Sequence, residues 1–338
     1  MASDNAAKRL KTTPLSIGTH NGHFHADEAL AVYMLRLLPE YKDASLTRSR
    51  DPAVLEECDI IVDVQGKYDA TKYFDHHQRT FAETFSAAHK TKLSSAGLIY
   101  KHFARNIIAH RLSLPADSPS TDLLYTKVYN DFIEALDAND NGIPAYPSDI
   151  SPAFNDKSIT LPSLVGSFNP SWNDPAPDQD AEDSRFLQAS TLIGETFVRK
   201  LDFYGRSWLP ARDLVAAAVE KRFEHDSKGR LLVFEQPIPW RDHLFTLEKE
   251  LGIEEGPLYA LYGEGPGKPG WRVQAVPVSK DSFESRKPLP EAWRGFRDEK
   301  LSEVAGVTGG VFVHASGFIG GNKSFEGALE MAKKALDL

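Results

Sequence analysis

The sequence predicts an α/β protein, a parallel sheet flanked by helices, followed by a second, smaller α+β domain. Three features carry that expectation. Short apolar runs alternate with amphipathic stretches through the first half, and histidines and carboxylates sit where those runs end. After residue 225 the character changes to strands separated by turns.

Residues 15–19 read as a first strand and 27–38 as a helix, followed by a strand at 45–50 and a short helix at 51–57, with Pro52 suited to its first turn. A buried strand at 59–64 is followed by a shorter one at 72–74, which runs into Asp75, His76 and His77. Two longer helices are expected at 94–110 and 121–140, the first opened by Ser94, the second by Thr121 and Asp122 and stopped at Asn141 and Gly142. The stretch 144–183 is rich in Pro, Ser, Asn and Asp and reads as a long loop. Helices return at 184–206 and 210–224, and residues 225–229 form a turn. Strands at 230–235, 258–262, 271–278 and 311–314 then precede a closing helix at 323–338. The expected domains are a metal-binding catalytic domain at 15–225 and a substrate-binding domain at 228–338.

A chain of 338 residues supports two domains, because single cores stop growing at roughly 250–300 residues. Its 41% apolar and 26% charged residues are those of a globular protein, and no run approaches the ~20 apolar residues that span a bilayer. Cys58 is the single cysteine, so no internal disulfide forms, and no apolar signal segment opens the chain; a reducing intracellular compartment is expected. Residues 1–14, with Lys8, Arg9 and Lys11, are either a targeting address or a solvated tail. The net charge of −9 excludes broad attraction to a polyanion, so any nucleic-acid contact must be local. Arg286, Lys287, Arg294, Arg297 and Lys300, interleaved with Phe283, Trp293 and Phe296, form either such a contact or a solvated loop anchored by its aromatics.

Five of the 11 histidines fall between positions 20 and 77, among carboxylates at strand ends. His20, His23, His25, Asp27 and Glu28 lie where a strand passes into a helix, the place where open α/β sheets bind ligands. Asp63 ends the run Ile60-Ile61-Val62, either as a turn former or as a buried carboxylate that requires a cation. His76 and His77, adjacent on an extended strand, point to opposite faces, so one is placed to bind metal and the other to meet substrate. Asp140 is either part of a helix stop, the stronger reading, or a metal ligand; Asp137, set among Phe132, Ile133, Ala135 and Leu136, is either a metal ligand or an exposed face position. Mixed imidazole and carboxylate ligands favour Mn²⁺, with Zn²⁺ and Mg²⁺ as alternatives. Two such ions about 3.5–4 Å apart serve phosphoryl hydrolysis.

The series His20, His25-Ala26-Asp27, Asp63, Asp75-His76-His77 and Asp137 resembles the ordered motifs of the DHH phosphoesterase superfamily. Within it, Gly18-Thr19-His20-Asn21-Gly22, Tyr73-Phe74-Asp75-His76-His77-Gln78-Arg79, Trp208-Leu209-Pro210-Ala211-Arg212 and the segment from Val313 to Gly321 are similar to the melanocyte-proliferating-gene family. The resemblance implies a DHH-like fold and a 3′-to-5′ exonuclease on single-stranded RNA that releases nucleoside 5′-monophosphates, resident in nucleus or mitochondrion. It implies that His20 and His25 serve one metal, that Asp27, His76 and Asp137 serve the other, and that Asp63 bridges them. His77 would lie near the scissile phosphate and Asp75 would orient the pair. Many superfamily members have His-x₃-Asp-x-Asp where this chain has His20, His25 and Asp27. Related C-terminal modules carry Gly-Gly-Gly-His, whereas this chain has Gly320, Gly321 and Asn322, so either His314 or Lys323 takes the place of that histidine in holding substrate.

Two other classes compete. His23-Phe24-His25 also resembles the first metal motif of amidohydrolase barrels, but the second half lacks the eight strand–helix units of a barrel. A metal-stabilised scaffold that only binds RNA would close its coordination shell, whereas a hydrolase leaves a position open. Within the superfamily, small oligonucleotides or pyrophosphate are the alternative substrates.

Overall fold

The computed structural model describes residues 14–147 and 149–338, so the stretch bearing Lys8, Arg9 and Lys11 lies outside the described residues. The chain divides into two compact units, residues 1–205 and 206–338.

In the first unit, four strands, β1 (Ser16–Thr19), β2 (Ser45–Arg48), β3 (Ile60–Val62) and β4 (Tyr73–Phe74), form a parallel sheet in the order β2-β1-β3-β4. The chain leaves β1 towards one side to make β2 and returns to the other side to make β3. That reversal creates a topological switch point at the carboxyl ends of β1 and β3, where sheets of this kind bind ligands. The central strand β3, Ile-Ile-Val, is short, apolar and fully buried because both its faces are covered: Leu55 of α2 (Pro52–Glu56) and Cys58 pack with Ile61 on one face. Ile17, Ile60, Val62 and Phe74 are fully buried.

Helix α1 (Ala26–Arg36) runs between α3 (Ser95–Leu112) and α7 (Gln179–Phe203). Its run of Ala29, Leu30, Ala31, Val32, Met34 and Leu35 is buried, as expected of a helix enclosed by neighbours. The sequence favours close approach here: Ser190 of α7 donates to the carbonyl of Ala29, and Gly194 faces the Tyr33 ring. Between α3 and α7 lie α4 (Pro119–Val128), a π-helical turn at Tyr129–Ile133, α5 (Glu134–Asp140) and the short α6 (Leu161–Gly166).

The second unit holds α8 (Leu209–Glu220), β5 (Leu231–Phe234), α9 (Arg241–Leu251), β6 (Tyr259–Gly263), β7 (Trp271–Ala275), α10 (Asp298–Ala305), β8 (Gly310–Val313), β9 (Ile319–Asn322) and α11 (Phe325–Asp337). Its five strands run in the order β5-β6-β7-β9-β8, with β5 and β6 parallel and the remaining pairs antiparallel. Alternate residues face opposite layers. Leu231, Tyr259 and Val273 pack with Leu301 of α10 and Met331 of α11, while Leu232, Phe234 and Ala260 pack with Val215 of α8 and Leu244 of α9.

Several boundaries differ from those read in the sequence. Ser118, not Thr121 and Asp122, caps α4, because Pro119 supplies the fixed φ of a first helical position. The supposed single helix at 121–140 is broken by the π-helical turn. The stretch 144–183 is not a featureless loop: Thr160 caps α6, and Asp178 starts α7 ahead of residue 184. Helix α8, read as part of the first domain, packs on α9 and β5 in the second unit. Helices α9 and α10 and strand β9 were not anticipated. The glycines of β9 disfavour a strand by local propensity, and pairing with β7 and β8 overrides it. Among the described residues no helix is long and apolar enough to cross a membrane.

A Cβ at Gly194 would lie 2.0 Å from Cγ of Tyr33, an atom near the root of that side chain. Gly194→Ala is therefore expected to destabilise the protein by about 1–2 kcal/mol in denaturant titration, the overpacking cost exceeding the ~1 kcal/mol gained in helix propensity. In a Tyr33→Ala background the same change should stabilise. Stabilisation in the parent protein would show that the helices separate freely.

Candidate metal centre

Each strand of the first sheet delivers part of the site. His20 follows β1, Arg50 follows β2, Asp63 follows β3, and Asp75, His76 and His77 follow β4. Asp63 adopts a left-handed backbone conformation with φ of 57°, uncommon for a residue other than glycine and tolerated best by Asn and Asp. With it the chain leaves β3, and Asp63 faces both halves of the cluster. Its Oδ2 lies 3.5 Å from Nε2 of His20 and its Oδ1 lies 3.4 Å from Nε2 of His76.

Three groups of side chains converge closely enough to hold a cation: His20, His25, Glu28 and Asp63; Asp63, His76 and His77; and His25, Asp27 and Asp140. Nε2 of His20 is 3.1 Å from Oε1 of Glu28, and Nε2 of His76 is 3.0 Å from Oδ2 of Asp140. Asp63 is shared by two of the groups, and its two oxygens face different histidines, the disposition of a bridging carboxylate.

The electrostatics call for positive charge. Asp27, Glu28 and Asp63 are buried, and Oδ1 of Asp27, Oε2 of Glu28, Oδ1 of Asp63 and both ring nitrogens of His76 lack a hydrogen-bond partner. A buried carboxylate without compensation is strongly unfavourable. Burial and the neighbouring Asp63, Asp140 and Glu28 push the Asp27 carboxyl well above its ordinary range. Burial opposes charge on His20 and His76, but their carboxylate partners prevail and raise them to about 10 and about 9. Against its burial, the close, positively charged rings of His20 and His76 hold Asp63 at about 2. Protons on His20 and His76 thus supply positive charge that divalent ions would supply instead, and imidazole ligation would displace them. The donor set of imidazole nitrogens and carboxylate oxygens fits such ions.

The loop carrying His20 and His25 is clamped from several elements. The Arg48 side chain, fully buried, donates to the Gly22 carbonyl at 2.7 Å and pairs with Asp183, its guanidinium over the Phe24 and Phe186 rings. Asn169 accepts from the Phe24 N–H at 3.0 Å and donates to the Phe24 carbonyl at 2.8 Å, as a paired strand would. Glu28 accepts from the His25 N–H at 2.8 Å. Ser95, at the start of α3, donates through Oγ to Oδ2 of Asp27 at 2.7 Å and leaves the other oxygen facing the cluster.

Asp75 accepts from Nδ1 of His77 at 2.7 Å and from the backbone N–H groups of His77 and Gly66. Despite burial these bonds lower Asp75, and Asp75 in turn raises His77. His77 is largely exposed to a cleft of about 1080 Å³ whose lining includes His25, Asp27, Asp63, Asp140, Arg50, Lys92 and Lys157.

The MYG1 family model, described as "Uncharacterised protein family (UPF0160)", matches residues 16–336. The chain belongs to this family. It is 55% identical to a MYG1 protein of Schizosaccharomyces pombe over 96% of this chain and 98% of that one. It is 50% identical to a MYG1 protein of Saccharomyces cerevisiae, covering 98% and 99% of the two chains. With the MYG1 exonuclease of Homo sapiens it shares 47% identity over 96% of this chain and 86% of the human one. No solved structure matches the chain.

In this MYG1-family chain the structure brings together His20, His25, Asp27, Asp63, His76 and His77, with Asp75 behind His77. It does not bring Asp137 to them. Asp137 is fully buried, accepts from the N–H and Oγ of Ser94 at 3.0 and 2.7 Å and from the Tyr129 hydroxyl at 2.9 Å, and packs where a Cβ on Gly97 would lie 2.3 Å from Oδ1. It ties α5 to the start of α3. Asp140, one turn later and read as a helix stop, faces the cleft instead, while Asn141 closes the helix by donating to the carbonyls of Asp137 and Lys92. Glu28 belongs to the strand-to-helix group singled out in the sequence, but without a ligand role there, and Arg50, Lys92 and Lys157 carry no such sequence mark. The proximity of Glu28 to Asp27 on α1 was the available signal; Lys157 lay in the stretch taken for a loop.

The second-unit candidates fall into several different settings. Gly320 and Gly321 lie in β9, between β7 and β8, so the ladders on both edges use their backbone. A Cβ at Gly321 would lie 3.2 Å from the Trp271 carbonyl oxygen and 3.3 Å from Cε1 of Phe312, a tight fit between neighbouring strands, besides meeting the movable end of the Arg272 side chain. Buried Asn322 donates to the Thr308 carbonyl and accepts from the Ser324 N–H. Arg286 is held by both oxygens of Glu248 at 2.7 Å, Arg294 donates to the Leu289 carbonyl, and Trp293 belongs to the core. His314 and Lys323 are exposed.

Asp140→Ala is expected to weaken Mn²⁺ binding by at least about tenfold in calorimetric titration, whereas Asp137→Asn should change it by less than about twofold. Burial pushes the Asp137 carboxyl up to about 7 against the hydrogen bonds from Ser94 and Tyr129. Its folded value exceeds the unfolded one of about 3.9, so its contribution to stability is fully present below pH ~4 and is lost as pH rises through about 7. Asp137→Asn should flatten the stability profile across that window; an unchanged slope, or equal loss of metal in both variants, would refute the division of roles.

Proposed function

We propose that the chain is a metal-dependent phosphodiester hydrolase, a 3′-to-5′ exoribonuclease that shortens single-stranded RNA and releases nucleoside 5′-monophosphates. The observation that carries the reading is the convergence of His20, Glu28, His76 and Asp140 on the two sides of Asp63, with orphaned carboxylate oxygens, in a cleft much larger than a metal site requires. The exonuclease named among the relatives supports it.

Two divalent ions, Mn²⁺ favoured, would be held by His20, His25, Glu28 and Asp63 on one side and by Asp27, Asp63, His76 and Asp140 on the other. Such ions supply Lewis-acid polarisation of a phosphoryl oxygen and lower the pKa of water. The protein's own groups do the rest. Asp63 fixes the two halves of the cluster with respect to each other. Asp75 fixes the ring of His77 through Nδ1 and favours its protonated form, so that Nε2 carries a proton for the departing 3′ oxygen of the shortened chain. In the second unit, exposed His314 and Lys323 are the groups free to contact RNA.

With Mn²⁺, 5′-labelled single-stranded RNA should shorten as a ladder from its 3′ end. Chelation should abolish the activity, and Asp63→Asn, confirmed folded by circular dichroism, should reduce it by more than about a hundredfold, the scale of losing a major electrostatic catalytic group. Cleavage of a circular RNA, or immediate release of labelled mononucleotide, would reject the direction. Near parental turnover in Asp63→Asn would reject the metal centre.

A further inference from the structure

The cleft holds three cations that the chemistry above does not use. Arg50 follows β2, Lys92 precedes the serine that caps α3, and Lys157 lies in the single turn before α6; all three line the cleft of the metal centre. Among the described residues none of them has a carboxylate within ion-pairing distance, while Arg48, Lys72, Lys101 and Arg111 of the same unit are all paired. Nη2 of Arg50 lies 3.3 Å from Nδ1 of His20, at the immediate edge of the cluster. Lys92 is half-buried and lines the cleft, its ammonium 5.6 Å from the centre of the Phe81 ring and with no carboxylate paired to it among the described residues.

Lysines on an open surface would need no explanation. Here they come from three separate segments to one cavity, in a chain whose net charge is −9. The cavity, at about 1080 Å³, is at the upper end of the ~300–1,000 Å³ of small-molecule sites. It has room for more than the one phosphoryl group that the metal cluster addresses.

We propose that Arg50, Lys92 and Lys157 form phosphate subsites beside the reacting phosphate, so that the site selects a single-stranded oligonucleotide over a mononucleotide or pyrophosphate. This rests on the hydrolase reading of the same cleft. Arg50, with its planar fork, holds the phosphate nearest the cluster. Lys92 and Lys157, as point charges, hold phosphates further along the strand.

The test is binding of a tetranucleotide with phosphorothioate linkages, which resist hydrolysis, and a 5′ phosphate that carries fluorescein, four phosphates in all, to the Mn²⁺-loaded full chain over a range of salt concentrations. A nucleoside monophosphate competes in parallel. Single strands give a slope of log K against log salt of about 0.7 per neutralised phosphate, so three contacts predict about 2. Lys157→Gln, at an exposed position, and Lys92→Gln should each lower the slope by about 0.7 and weaken binding several-fold, and Lys157→Arg should restore it. Equal affinity for mononucleotide and tetranucleotide, unchanged slopes in the glutamine variants, or no tetranucleotide binding would each overturn the proposal. Turnover of unmodified RNA by the parental protein is scored separately. Cation-dependent binding without turnover sinks the hydrolase reading alone, and turnover with unchanged slopes sinks the subsites alone.

Discussion

Asp27, Glu28, Asp63 and Asp140 crowd four carboxylates into a site where three of them are buried, and their mutual repulsion is the constraint around which the first unit is organised. Uncompensated, such a group is among the least favourable arrangements a protein interior can hold. Histidine protons answer part of it. The orphaned oxygens show that this answer is incomplete, and the polar network around them is arranged to hold the carboxylates in place instead of quenching them: Ser95 takes one oxygen of Asp27 and leaves the other free. A site designed only for stability would have paired both.

That cost is borne by rigid surroundings. The parallel sheet places His20, Asp63 and His76 at strand ends with little freedom, and the left-handed backbone of Asp63 is tied down by its N–H, which donates to the Phe74 carbonyl of β4. The histidine loop, which has no sheet of its own, is secured by side chains distant in sequence. Asn169 imitates a strand partner for Phe24, and Arg48 bonds the Gly22 carbonyl. The segment between α5 and α7 thus contributes a clamp through Asn169 and a cleft wall through Lys157, although its composition is that of a loop.

Sequence reading recovered the parallel sheet and the gathering of His and Asp at its strand ends because both leave local marks: short apolar runs, and His or Asp immediately after them. It failed where the deciding fact was a facing direction. Asp137 and Asp140 share a helix and are three residues apart, and the apolar neighbours of Asp137 marked it as buried without telling that Ser94 and Tyr129, not a cation, receive it. The π-helical turn just before them shifts the phase of the helix, which no count by 3.6 residues anticipates. Glycines gave the opposite error. Gly320 and Gly321 suggested backbone open to phosphate, whereas that backbone is paired to β7 and β8 and a Cβ there would fit tightly against its neighbours.

The division of charge between the two units follows the same logic. The basic and aromatic segment after residue 282 is largely spent on the second unit's own structure, with Arg286 on Glu248, Lys300 on Glu303 and Trp293 in the core. Charges already satisfied by fixed carboxylates contribute little to a phosphate, because binding would first have to break the existing pair. Arg50, Lys92 and Lys157 have no such prior commitment, and they line the cavity that already gathers the histidines and carboxylates. Under the proposed function, local cations of this kind reconcile an acidic chain with a polyanionic substrate: overall repulsion limits non-specific binding, and attraction is confined to the cleft that holds the proposed metal centre.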